Sequence, residues 1–255
     1  MKSKLLNLIT TASYYPRLLL DAFLFLFVKN DYSILDKFNN QDCLIVGNGP
    51  SLKKTSLEQI KMISIGMNKI NILFDKTSWR PDLIVCTNGL VIRQNLEFFN
   101  TTEIPLILPV KALYLGVKKR KNVIFVKISN STKFQENISK SIGMCTTVTY
   151  ACLQVAAFAD VKSVNLVGVD HSFKLDSKNK KNKIEVLHGD DQNHFDPNYF
   201  KDMQWGYPDL KGSEEVYVLA KSYFKRKNIP IKDFTISGKL HVFEKEDIKS
   251  LYKKS

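Results

Sequence analysis

From position 42 onward, apolar residues come in short unbroken runs, each closed by a polar or glycine-containing break. Cys43–Val46, Met62–Met67, Leu83–Cys86, Pro105–Pro109, Val123–Ile128 and Ser163–Val169 mostly lack an alternating polar face, so they read as strands buried on both sides. Between and after them lie segments of helical character. Leu57–Lys61 is polar and helix-compatible, and Thr146–Ala159 is apolar, rich in small residues and preceded by Gly143. Gly212–Lys227 places Val216, Leu219, Ala220 and Tyr223 on one face. Ile229–Ile231 and Phe234–Ile236 read as closing strand pieces, and residues 1–40 as helical, with Pro16 separating two parts. Strands alternating with helices predict an α/β fold: a Rossmann-like, doubly wound, mostly parallel sheet. Cys43–Val46, Ile63–Met67, Leu83–Cys86 and Ser163–Val169 should lie adjacent at its middle. The pattern predicts one nucleotide-binding domain over residues 41–255 behind an N-terminal helical segment, residues 1–40, with no internal repeat or dividing linker.

In such sheets ligands bind beyond the carboxyl ends of the strands. Here those ends carry Gly47-Asn48-Gly49-Pro50-Ser51, Asn68, Thr87-Asn88-Gly89 and Asp170-His171. A strand that feeds a glycine-rich turn and then a helix suits phosphate, because the backbone can approach the anion and free N–H groups point at it. Gly47 and Gly49 fit the first two glycines of the dinucleotide fingerprint, but Leu52 stands at the third. The turn also lacks the Gly-Lys-Ser/Thr ending of a Walker loop. The alternative reading is an ordinary strand-to-helix turn.

The formal net charge of +13 and a pI near 9.4 imply anionic partners: nucleotides, nucleic acid or an anionic membrane surface. The lysines lack the interleaved aromatics of a single-strand binder, so nucleic acid is not expected. Five of them fall between Lys174 and Lys183, in a stretch that reads as a solvated loop. Cys43, Cys86, Cys145 and Cys152 are scattered in or beside apolar segments, as reduced thiols of a cytoplasmic protein would be. Leu18–Val28 is apolar except for Asp21 and is flanked by Lys2, Lys4, Arg17 and Lys29. It is shorter than the roughly 20 residues that span a bilayer, and no small-residue cleavage site follows it. It reads either as a helix on the inner face of the cytoplasmic membrane or as one packed on the domain's own surface.

Gly47-Asn48-Gly49-Pro50-Ser51-Leu52, Gly66-Met67-Asn68, the Asn88 loop and the small-residue helix running into Leu166-Val167-Gly168-Val169-Asp170 resemble the bacterial sialyltransferases of glycosyltransferase family 42. Asn193–Phe200 and Gly238–Phe243 resemble the wider group of 6-hydroxymethylpterin pyrophosphokinase-like proteins, found among surface-polysaccharide genes. The first resemblance implies a single-domain GT-A-like variant of the fold, binding a CMP-sugar donor without metal or other cofactor. It implies an inverting transfer to a glycan or glycolipid acceptor in lipopolysaccharide or capsule synthesis. By position, Gly47, Asn48, Gly49, Pro50, Ser51, Asn68 and Asn88 would contact the donor, and Thr147, Val148 and Thr149 would lie beside the nucleotide. His194 would be the base. The family's two phosphate-binding tyrosines after the Gly-Ile-Asp strand end are absent, leaving His171, the 174–183 lysines or Tyr199 to replace them, or a different donor.

The chemistry asks for a base that takes a proton from an acceptor hydroxyl, and histidine suits it. His194, in a polar and aromatic loop where exposure is expected and where Asp191, Asn193, Asp196 and Asn198 give a polar setting suited to fix its tautomer, and His171, at a strand end, are the two candidates; His188 and His241 fit less well. Asp190-Asp191 reads as a pair of solvated loop carboxylates, and no metal site is expected. Asp170 either bonds a ribose or sugar hydroxyl or caps its own turn, and Trp205, Tyr199 and Phe200 form a sugar-stacking wall or anchor their loop. A pterin pyrophosphokinase and a non-catalytic nucleotide-binding protein of polysaccharide assembly remain as alternatives. A homo-oligomer is compatible with all three.

Overall fold

The computed structural model describes residues 19–144, 146–173 and 183–252. Cys145, most of the lysine-rich stretch and the first part of the N-terminal segment, with Pro16 and the basic residues before Leu18, lie outside the described residues. Eight strands form one sheet in the order β10-β9-β6-β1-β2-β3-β4-β5, every pair parallel. They are β1 (Asp42–Val46), β2 (Ile63–Met67), β3 (Leu83–Val85), β4 (Leu106–Pro109), β5 (Val123–Val126), β6 (Ser163–Val167), β9 (Ile231–Asp233) and β10 (Glu244–Lys245). The four strands expected at the middle are there, side by side. A second, antiparallel ribbon joins β7 (Ile184–Val186) to β8 (Gln204–Gly206), and the pattern had not predicted it. Phe234–Ile236 follows β9 rather than forming a strand.

The apolar runs are continuous because each strand is covered on both faces. In β1, Cys43 and Ile45 join one core layer and Leu44 and Val46 the other. The first layer is closed by α4 (Val148–Phe158) and α5 (Leu210–Arg226) and receives Leu35 and Phe38 from a 3₁₀ turn, Tyr32–Phe38. Residues 32–38 therefore pack into the same core as the sheet. Helix α4 is buried almost throughout, which its alanines allow by letting it lie close to the strands. Its one amide, Gln154, is fully buried and satisfied: Oε1 accepts from the N–H groups of Gln135 and Gly143, and Nε2 donates to the Tyr150 carbonyl. The second layer is covered by α2 (Gly89–Gln94), α3 (Leu96–Thr101), short 3₁₀ turns and the segment around residues 195–205. Leu57–Gln59 is one of those 3₁₀ turns, too short to be the helix its composition suggested. Residues 19–26 are helical (α1) and pack Leu24 and Phe25 against this layer.

The chain runs outward from β1 through β5, then returns to lay β6 on the other side of β1. This switch of direction opens a crevice at the carboxyl ends of β1 and β6. The two loops there approach so closely that only glycine fits. A Cβ on Gly47 would overlap the Gly168 carbonyl, one on Gly49 would overlap the Asp170 carboxylate, and one on Gly168, which has φ +68°, would meet Leu52. Leu52, in the place of the fingerprint's third glycine, thus fills space against Gly168. Gly47→Ala should destabilise the fold by about 1–3 kcal/mol, the usual cost of overpacking a tight site, measured as a lower urea midpoint with an unchanged slope.

Candidate active site

A cavity of about 960 Å³ lies at the carboxyl ends of β1, β2, β3 and β6. Gly47, Asn48, Gly49, Asn68 and Asn88 line it, as do Thr147, Val148 and Thr149, and Asp170, His171 and His194. The expected strand-end residues therefore converge on one space. Pro50, Ser51 and Tyr199 do not line it.

The two glycines of the turn do not offer their amides to a ligand. The N–H of Gly47 donates to the Val167 carbonyl at 2.8 Å and that of Gly49 to the Gly168 carbonyl at 2.8 Å. The Ser51 N–H and hydroxyl both donate to the Asp170 carboxylate, at 3.0 and 2.7 Å. The segment after the turn, Pro50–Lys54, is a 3₁₀ turn with no helix dipole of consequence. The phosphate cradle suggested by the sequence is thus replaced by a lacing of β1 to β6. Asp170 is the knot: burial pushes its carboxyl above the usual range, against the pull of the two Ser51 hydrogen bonds.

The cavity receives another helix N-terminus instead. Helix α4 begins there, with Thr147 as its cap: the Thr147 hydroxyl accepts from the Thr149 N–H at 3.3 Å. Arg93 and Lys111 also line the space. Two carboxamide oxygens add acceptors. Asn48 donates its Nδ2 to the Met67 carbonyl at 3.1 Å, which fixes the amide's orientation, and its Oδ1 is buried without a partner. Asn68 Oδ1 is in the same condition, on a residue held at φ +52°. Unpaired buried acceptors are costly until a donor arrives, so this side of the cavity suits hydroxyl or amino groups, and the α4 and Arg93–Lys111 side suits anions.

His194 is not on an exposed loop. Its segment is tied down by the Phe195 N–H on the Asn48 carbonyl (3.0 Å), by an ion pair between Asp196 and Lys76, and by Tyr199, whose hydroxyl accepts from the Lys69 N–H at 3.1 Å. His194 Nδ1 lies 2.8 Å from Asp191 Oδ2, and the ring stacks on Tyr199 with centroids 4.2 Å apart and planes 4° from parallel. Asp191 is buried, its other oxygen accepting the Asn193 N–H at 2.8 Å. The solvated reading of Asp190-Asp191 holds only for Asp190, which is exposed and pairs with Lys201. With Nδ1 and one ring face occupied, Nε2 is the nitrogen left for the cavity.

Beneath this pair lies Lys69, which the pattern gave no reason to single out. It is almost fully buried, donates Nζ to the Tyr199 carbonyl at 2.9 Å and sits 4.6 Å from the Phe200 ring centroid. Burial lowers its pKa to about 8, against the opposing charge of Asp191. Among the described residues no group of three or more His, Cys, Asp or Glu side chains comes together as metal ligands would.

The sequence profile of the family described as "6-hydroxymethylpterin diphosphokinase MptE-like" matches residues 23–176, more than half of the chain. The chain belongs to this family. No curated protein matches it. Among solved structures, the MAf glycosyltransferase from Magnetospirillum magneticum AMB-1 superposes with a TM-score of 0.52 at 15% identity, over 88% of this chain and 38% of that one. The likeness is one of fold, and the chain spans well under half the length of that protein.

In this MptE-like chain the remaining wall is aromatic. Phe173, Phe200, Trp205 and Tyr207 face the cavity, with Trp205 carried on β8 and stacked on Phe173 at 6.5 Å. Tyr199 is instead the floor under His194. His171 holds φ +51° and contacts Glu214 Oε1 through Nε2 at 3.0 Å, so its outer nitrogen is engaged. Of the substitutes for the missing tyrosines, His171 lies at the cavity, Tyr199 beneath His194, and Lys183 outside the cavity, paired with Glu185; the other lysines of the stretch fall outside the described residues. His188 and His241 are exposed.

Lys69 makes stability depend on pH in a defined direction. Its folded pKa lies below the ordinary lysine value of 10.5, so the unfolded chain binds the extra proton between about 8 and 10.5. Wild type should gain stability relative to Lys69→Met as pH rises through that window, and lose the gain as pH falls through 8. Parallel urea titrations of the two proteins at pH 7.5 and 10 would measure it.

Proposed function

We propose that this protein transfers a glycosyl group from a nucleotide-activated sugar to an acceptor hydroxyl, with His194 as general base. The observation that carries the reading is the Asp191–His194 pair at the cavity wall. A buried carboxylate on Nδ1 keeps the proton there and leaves Nε2 as the acceptor, the arrangement a base needs. Nε2 takes the proton of the acceptor hydroxyl as its oxygen attacks the anomeric carbon. The bond from that carbon to the phosphate oxygen breaks, and the nucleotide leaves with the negative charge. The α4 N-terminus, Lys111 and Arg93 stabilise that charge as it develops. One displacement inverts the anomeric centre and calls for no metal.

The donor proposed is a CMP-activated acidic sugar of the sialic acid type, which brings a phosphate and a carboxylate to a basic cavity. Its sugar and ribose hydroxyls, and the cytosine amine, supply donors for Asn48 and Asn68. Trp205 and Phe173 offer a face for the ring. The acceptor proposed is a glycan or glycolipid of the cell surface, met at the cytoplasmic side of the membrane.

Family membership favours one other reading. The family's description names a pterin diphosphokinase, in which a pterin hydroxyl would stand in the acceptor's place and a diphosphate would be the group transferred. The two readings share the base and part at the ligand. Thermal shifts with CMP, CMP-sugars, ATP and a hydroxymethylpterin separate them, since a ligand selective for the native state raises the melting temperature.

His194→Ala should retain nucleotide binding and lose transfer by about a hundredfold to ten-thousandfold, the usual cost of a removed general base. Asp191→Asn should lose about a hundredfold or more with little change in donor affinity, because the amide no longer fixes the Nδ1 proton. Single-turnover rates and nucleotide titrations of each variant measure both effects. Full transfer by His194→Ala together with loss of transfer in His171→Ala would move the base to the β6 end.

A further inference from the structure

Helix α1 has two faces, and both are apolar. Inward, Leu24, Phe25 and Val28 pack against the core, and Asp21 turns toward Tyr114 and Lys111 at the rim of the cavity. Those contacts are spaced three and four residues apart, as one helix face requires. Outward, Leu19 is 72% exposed, Phe23 57%, Leu26 79% and Phe27 61%. The outer face of a helix on a soluble domain is ordinarily polar. Helix α5 is closer to that pattern: Lys211, Glu214, Glu215, Lys221 and Lys225 are turned to water, and of its large apolar side chains only Val218 and Leu219, the latter expected on the inner face, are exposed with them. The single charge among residues 19–28, Asp21, is the one turned inward.

The apolar face is bordered by cations. Lys119 donates Nζ to the Phe27 carbonyl at 3.3 Å, Lys127 lies 5.6 Å from the Phe25 ring centroid, and Lys29, Lys118 and Lys121, one to two residues along the chain from Val28 and Lys119, are exposed. The same helix reaches the cavity, for Leu20 lines its mouth together with Tyr114 and Leu115. No helix among the described residues is long and apolar enough to cross a membrane.

We propose that the outer face of α1 docks this protein onto an anionic lipid bilayer and sets the cavity mouth at the membrane surface. Leu19, Phe23, Leu26 and Phe27 enter the boundary between headgroups and acyl chains, and the flanking lysines meet the acidic headgroups. An amphiphilic substrate then has a route in which its chain stays with the lipid beside Leu20 while its polar head enters past Tyr114. The docking does not rest on which group the site transfers. A second copy of the chain is the competing occupant. The bordering lysines favour the bilayer, since two such rims facing each other would repel.

The test is sedimentation of the full chain with sucrose-loaded vesicles, of phosphatidylcholine alone and with phosphatidylglycerol. The expected result is binding to the anionic vesicles, weakened by added salt. The double substitution Phe23→Ser, Phe27→Ser should weaken it about tenfold or more, because each phenylalanine removes buried apolar area. Its melting temperature should stay unchanged, since both side chains are exposed in the free protein. Lys118→Glu with Lys119→Glu should remove most of the salt-sensitive part. Absence of binding to anionic vesicles, or equal binding by the phenylalanine variant, overturns the proposal. So does a concentration-dependent dimer that the same variant abolishes without any vesicle binding, which would give the face to a second copy. These readouts use no substrate, so they stand whether or not glycosyl transfer is found.

Discussion

The close approach of the β1 and β6 loops constrains everything else at the site. Gly47 and Gly49 give their N–H groups to β6, and Asp170 gathers the Ser51 amide and hydroxyl. A half-buried carboxylate with charge-assisted hydrogen bonds holds geometry well, and it holds the two loops at the point where the sheet reverses direction. The consequence for function is an exchange of roles. The turn that would bind an anion in a phosphate-binding fold is spent on structure, and it presents Asn48 as an acceptor. In the proposed reaction, anion binding passes to the α4 N-terminus and to basic residues across the cavity.

The second constraint is the docking of the 191–200 segment. An isolated loop of this composition would be solvated. Here it is fixed from several sides: to the β1 loop through Phe195, to Lys76 through Asp196, and to Lys69 through Tyr199. A buried lysine under an aspartate–histidine pair costs desolvation, and the lowered pKa of Lys69 records that cost. Such a cost is tolerated where it positions a reactive group. The stacked Tyr199 ring and the Asp191 carboxylate leave the His194 imidazole little freedom.

The apolar outer face of α1 belongs to the same logic of position. The helix is anchored by its inner face to the layer that builds the cavity, and one of its leucines reaches the cavity mouth. Whatever covers its outer face therefore lies next to the entrance, and under the proposed docking substrate access and surface attachment become parts of one geometry.

The sequence by itself determined the middle of the sheet. Unbroken apolar runs ending in Gly, Asn and Asp named the central parallel strands, and the set of strand-end residues that share the cavity, because period and composition are local properties. It also marked His194 and the odd character of Leu18–Val28. Tertiary structure decided what each residue there does. Whether a glycine serves a ligand or a neighbouring loop depends on what lies across from it, and Gly49 faces an aspartate well over a hundred residues away in the chain. Lys69 was not legible as a site residue, and Asp191 only as one of four polar neighbours of His194, because burial of a charge is a property of the packing around it. The β7–β8 ribbon, with exposed Ile184 and Val186 and only a few residues per strand, carried too short a pattern to be read, yet it places Trp205 on the cavity wall. Local order is written in the spacing of residues; the partner of each polar group is chosen only when distant segments meet.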